Sequence, residues 1–189
     1  MEKMGVQAIL NNIKTVGVKE TYNISRKRKQ ERLTDHKVVE ELRNMLSELA
    51  KKEKSEERAA LMLKGANAKE DREVREILRQ IDKLNYGAYR KELKRRYVKK
   101  ILPGIYDDFK KFHVEKVAVF MQPRAGLNQS CKYIYNKLKE AGEYQVILRE
   151  LHRGEVGTSV YYANAEKFAR DMGTAKAVFV HESNSLMGY

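Results

Sequence analysis

The 189-residue sequence has no tryptophan, one cysteine (Cys131) and two prolines (Pro103 and Pro123). A single cysteine excludes an internal disulfide framework, and chains so poor in cysteine are typical of a reducing, cytosolic compartment. Long hydrophobic runs are also missing. The longest are short, as in Val117–Met121, far below the roughly 20 residues that span a bilayer. Met1–Leu10 lacks the charged-then-apolar layout of a cleaved signal peptide.

Positive charge is abundant: 39 Lys plus Arg face 26 Asp plus Glu, a formal net charge of +13 and a sequence pI of about 9.7. The excess is uneven. Residues 1–113 hold 29 basic and 18 acidic side chains, whereas 114–189 hold 10 and 8. With Pro103–Gly104 marking the boundary region, two parts are expected: a basic helical extension over 1–113 and an α/β unit over 114–189.

In the extension, Ser25–Lys29 reads as a solvated basic cluster, and Thr34 or Asp35 as an N-cap. Val38, Leu42, Met45 and Leu49 then recur at three-four spacing, which lays one apolar stripe along a helix. Leu61–Leu63 continues it, and Gly65 with Asn67 reads as a helix stop. Val74, Ile77, Ile81 and Leu84 repeat the pattern. Two narrow seams joined by a short turn predict an antiparallel helical hairpin, or a coiled-coil surface over 34–86 through which copies associate.

Tyr86–Phe112 carries nine basic residues (Arg90, Lys91, Lys94, Arg95, Arg96, Lys99, Lys100, Lys110 and Lys111) against three acids. Tyr86, Tyr89, Leu93, Tyr97 and Ile101 are interleaved at helical spacing. Such a segment can lie on an anionic membrane surface with its tyrosines at headgroup level. The same composition can pack its aromatic stripe on the following unit or, as the least favoured of the three readings, grip nucleic-acid phosphates.

In the α/β unit, Lys116–Met121, Tyr144–Leu151 and Ala177–Val180 read as buried strands. Between them fall two helices, one capped by Asn128 or Ser130 and ending at Gly142, the other capped by Thr158 or Ser159 and ending near Gly173. The pattern is a Rossmann-like βαβαβ half. Ligands of such sheets bind at the carboxyl ends of the strands. The candidates there are Arg124, Gly126, Asn128 and Ser130 after the first strand, and His181, Glu182, Ser183 and Asn184 after the third. They suit phosphate or hydroxyl recognition. There is no Gly-x-Gly-x-x-Gly, phosphate-binding P-loop, nucleophile elbow or metal-ligand spacing. His36, His113 and His152 are scattered and read as structural or surface residues, and Cys131 as a packed thiol.

Residues 119–135 (Val-Phe-Met-Gln-Pro-Arg-Ala-Gly-Leu-Asn-Gln-Ser-Cys-Lys-Tyr-Ile-Tyr) resemble the opening strand and helix of the CDP-glycerol glycerophosphotransferase family. Residues 175–184 (Ala-Lys-Ala-Val-Phe-Val-His-Glu-Ser-Asn) resemble its third strand. The resemblance extends over about residues 95–189 and includes the Asn-x-Ser element, here Asn128 and Ser130. It implies the start of the N-terminal domain of a GT-B fold, with transfer of glycerol phosphate from CDP-glycerol to a lipid-linked or poly(glycerol phosphate) acceptor in teichoic-acid biosynthesis. The place implied is the cytoplasmic face of a bacterial membrane. The donor is a substrate, and no cofactor or metal is implied. Arg124, Asn128, Ser130, His181 and Ser183 would bind the acceptor, and Arg90 through Lys100 with Tyr97 would meet the membrane. The family's Trp-His-Gly motif and second domain have no counterpart in these 189 residues. The chain is therefore expected to be the N-terminal part of such an enzyme, with no catalytic residue of its own and no activity alone.

Overall fold

The computed structural model describes residues 18–123, 126–151 and 156–180. It shows eight helical elements and three strands among them. These are α1 (Val18–Ala50), α2 (Glu56–Ala66), α3 (Asp71–Lys83), α4 (Gly87–Arg96), a π-helical turn (Tyr97–Ile101) and α5 (Leu102–Lys110), then β1 (Val117–Pro123), α6 (Gln129–Ala141), β2 (Gln145–Leu151), α7 (Ser159–Thr174) and β3 (Ala177–Val180). No described helix is long and apolar enough to cross a membrane.

The chain divides into two compact units, Met1–His36 and Lys37–Tyr189. In the first, the helix exposes Arg26, Lys27, Arg28 and Lys29, so this basic cluster is solvated as expected. Gln30 Nε2 donates to Thr34 Oγ1 at 3.2 Å one turn on. Thr34 and Asp35 are helix-interior residues, not caps. The preceding polar stretch has no apolar stripe, yet Lys, Arg, Gln and Glu lose little rotamer freedom in a helix, and the helix runs through them.

The second unit joins what the charge map separates at residue 113. Its main core contains Val38, Leu42, Met45 and Leu46 of α1, Val74, Ile77, Leu78 and Ile81 of α3, and Tyr161, Ala165 and Phe168 of α7. It also contains Val117, Val119 and Met121 of β1. Most of the seams expected to await a coiled-coil partner are thus covered inside the chain, although Leu63 and Leu84 remain exposed. The helix stop expected at Gly65 and Asn67 is present, since α2 ends at Ala66 with Asn67 as its C-cap. Gly65 itself lies in the last turn, where an added Cβ would meet Leu46 Cδ1 at 2.7 Å and Ile77 Cγ2 at 2.9 Å. Its missing side chain lets helices approach.

The π turn precedes Pro103, which has no N–H to give the carbonyl of Lys99. Leu102 N–H bonds instead to Tyr97 O, five residues back. α5 then lies against α7. At Gly173 an added Cβ would stand 2.8 Å from Tyr106 O and 2.9 Å from Phe109 Cβ.

The sheet is parallel, in order β2-β1-β3. Alternation along β1 sends Val117, Val119 and Met121 toward α7, while Ala118 and Phe120 face Cys131, Ile134, Tyr135 and Leu138 of α6. Phe120 stacks on Phe179 (centroids 4.5 Å apart) and meets Tyr135 edge-on. Helices therefore cover both faces, as a parallel sheet requires. The helix signals hold: Asn128 Oδ1 accepts from Cys131 N at 2.8 Å, Thr158 Oγ1 accepts from Tyr161 N at 3.2 Å, and Gly142 ends α6 with φ +68°.

Candidate functional site

A β2-β1-β3 order places β1 in the centre, and the chain leaves it first toward one side and then returns to the other. Such a reversal opens a crevice at the carboxyl ends of the two strands flanking it. Here the last β1/β3 pair is Met121 with Val180, at the carboxyl end of β3 and two residues short of the end of β1. These two strand positions therefore stand side by side, although they are 59 positions apart in sequence.

On the β1 side, Gly126 takes φ +89°, a left-handed conformation that disfavours any side chain. Asn128 follows as the N-cap of α6. Its Oδ1 holds Cys131 N–H, so its amide nitrogen is the part directed elsewhere. Ser130 is exposed in the first turn, and Cys131 is buried beneath. The arrangement offers hydroxyl and amide groups beside the positive end of a 13-residue helix, a setting that favours an anion. Arg124, His181 and Ser183, with Glu182 and Asn184, lie outside the described residues. The described residues contain no group of His, Cys, Asp and Glu able to hold a metal ion.

The basic aromatic segment divides. Lys91, Lys94, Arg95, Lys99 and Lys100 are exposed, Arg95 paired with Glu92 and Lys100 with Glu41 at 3.2 Å. Arg90 is half-buried and donates to Asn85 Oδ1 at 2.6 Å. Arg96 and Tyr97, expected at the membrane surface, are both buried. Arg96 is 6% exposed and bridges Glu41 and Glu48 of α1 and Glu92 of its own helix. Hydrogen bonding to Arg95 and then to Arg96 holds the Glu92 carboxyl down at about 2, against the opposing effect of burial. Burial acts to raise the Glu41 pKa, yet Arg96 and Lys100 leave it lowered.

Tyr97 is 1% exposed, stacked on Tyr162 with centroids 4.4 Å apart, and donates to Glu166 Oε1 at 2.7 Å. Burial, with the Glu166 charge second, pushes its phenol far above the ordinary value. Glu166 in turn accepts a forked pair from Arg75 at 3.0 and 2.9 Å. This buried cluster escapes sequence reading because Arg75 and Glu166 stand 91 residues apart. One signal existed: Glu166 is a lone carboxylate among Tyr162, Ala165 and Ala169, on what is otherwise an apolar face.

No family model matches the chain, and no curated protein or solved structure shows detectable similarity to it.

Proposed function

We propose that the β1/β3 crevice binds the terminal polyol-phosphate of an acceptor, and that the unit is the acceptor side of a glycerophosphotransferase working at an anionic membrane surface. The observation that carries the reading is the strand order. It puts β1, which precedes Gly126, Asn128 and Ser130, beside β3 with Met121 paired to Val180, and ligands of such sheets bind at the carboxyl ends of the strands. The likeness of residues 119–135 and 175–184 to CDP-glycerol glycerophosphotransferases supplies the ligand class and the GT-B assignment.

In that reaction an acceptor hydroxyl attacks the donor phosphorus and CMP leaves. The part assigned to this unit is to hold the acceptor: the α6 N-terminus and Ser130 take the phosphate, and Asn128 takes a neighbouring hydroxyl. The exposed cations of 91–100 serve a separate purpose. Each lysine or arginine near an anionic surface contributes on the order of 1 kcal/mol of attraction, enough in sum to keep the unit beside a lipid-linked acceptor.

Binding of short glycerol phosphate oligomers by titration calorimetry tests the reading. Asn128→Asp keeps the helix cap but adds a charge that repels phosphate, and Ser130→Ala removes a hydroxyl. Weaker binding in both variants is the expected result. Undiminished binding in Asn128→Asp contradicts it.

A further inference from the structure

We propose that a groove between α3 and α7, apart from the β1/β3 crevice, is a second binding site, for the phosphate group of a small phosphate ester. The groove has a volume of about 230 Å3, room for a phosphate bearing a short polyol but below the usual size of sites for drug-sized ligands.

Its lining has three cations and no carboxylate. Arg75 and Arg79 stand one turn apart on α3, and Lys167 comes from α7. Arg75 is fixed by Glu166, which lies behind it and is itself buried, so this guanidinium forms a rigid wall. Arg79 is held only weakly. Its partner Glu76 is an i,i+3 neighbour, and the two side chains are 57% and 54% exposed, the kind of pair an incoming anion displaces readily. Lys167 is exposed and enters no ion pair among the described residues.

The polar complement is present too. Asn164, half-buried one turn before Lys167, offers an amide that both donates and accepts. Ser159 also lines the groove, but its N–H and hydroxyl are already given to Asp82 Oδ2. The first amide of α7 is therefore occupied, and the site rests on the side chains of Arg79, Lys167 and Asn164. A planar guanidinium and a mobile ammonium converging on one void suit a tetrahedral phosphate, the first by a forked contact and the second as a point charge. Val160 supplies an apolar wall for the ester's carbon chain.

The site is tested with the full chain at low salt, titrated with inorganic phosphate and with glycerol 3-phosphate. The variants are Arg79→Gln with Lys167→Gln, and separately Asn128→Asp. Both groove changes are at exposed side chains, and circular dichroism verifies the fold. Saturable binding of the ester that falls at least about tenfold in the double variant, and persists in part in Asn128→Asp, is the expected result. Equal binding by the double variant and the parent, or no binding by the parent, overturns the site. Loss confined to Asn128→Asp places all binding in the crevice and also overturns it. A competition arm with phosphatidylglycerol vesicles separates the two sources of such a phosphate. Displacement of the ester that depends on Arg79 and Lys167 identifies a lipid headgroup, and absence of displacement identifies a soluble ester; either supports the groove.

Discussion

The Tyr97 hydroxyl donates to Glu166 Oε1 at 2.7 Å, joining the basic helical segment to the helix that precedes the last described strand. With Arg75 on the other side of Glu166, three residues from α3, the π turn and α7 form one buried polar cluster. A buried polar cluster of this kind is stable only when every member has a partner.

Removing single members should therefore cost more than a surface contact would. Tyr97→Phe deletes a hydrogen bond to a charged group and should lower stability by about 1.5–3 kcal/mol. Glu166→Gln should cost about 3 kcal/mol, the low end for breaking a buried pair, because Arg75 retains partial solvent contact. Urea denaturation followed by circular dichroism measures both. Losses near zero would mean that the cluster does not hold the two halves together.

Close helix approach sets a second test. Gly65→Ala crowds the ends of two side chains, Leu46 and Ile77, which can turn away. Gly173→Ala crowds the backbone at Tyr106 and Lys110, which cannot. Overpacking costs typically about 1–3 kcal/mol. Gly173→Ala is expected at the upper end and Gly65→Ala lower, since alanine's better helix propensity offsets part of its strain. A reversed order would contradict the packing of α5 on α7.

Acid should weaken the fold through Glu92. Its folded-state pKa is depressed to about 2, so its contribution is complete above the unfolded value near 4.5 and disappears as pH falls toward 2. The urea midpoint should drop across that window, and less steeply in Glu92→Gln. An identical acid limb in parent and variant would show that the Arg95 and Arg96 contacts are not coupled to folding.

The surface cations predict a salt-sensitive membrane contact. Replacing Lys91, Lys94 and Lys99 with glutamine should reduce partitioning onto anionic vesicles by roughly two orders of magnitude, at about 1 kcal/mol per cation. Circular dichroism should not change. Arg96→Gln should do the opposite, destabilising the fold and not acting through lost surface charge.

The strands and caps of the α/β unit were legible because their signals are local. Val117–Met121 is β-branched and apolar, and Asn128, Gly142 and Thr158 each act on a backbone group within a few residues. The order β2-β1-β3 was not legible, since nothing in three similar apolar runs says which is central. The fate of Arg96 and Tyr97 was hidden for a related reason. Their partners Glu41, Glu48, Tyr162 and Glu166 lie 48 to 69 positions away, so the segment viewed alone is a basic face. The boundary at 113 followed the charge, but the core runs across it: α5 and α7 meet at Gly173, and β1 shares one apolar cluster with α1. Gly65 and Asn67 marked the end of α2 correctly, but the close contact of Gly65 with Leu46 and Ile77 was not legible, because it depends on residues far away in sequence.

Among the crevice residues, Asn128 and Ser130 stand where the sequence predicts, at the start of α6.

The most direct test is a nitrogen-15 amide correlation titration of the full chain with a glycerol phosphate dimer. The account predicts saturable shifts concentrated at Gly126–Cys131 and at Val178–Val180, on both sides of the β1/β3 pairing. Shifts confined to other parts of the chain, or none at saturating ligand, would contradict the assignment of the crevice as an acceptor site.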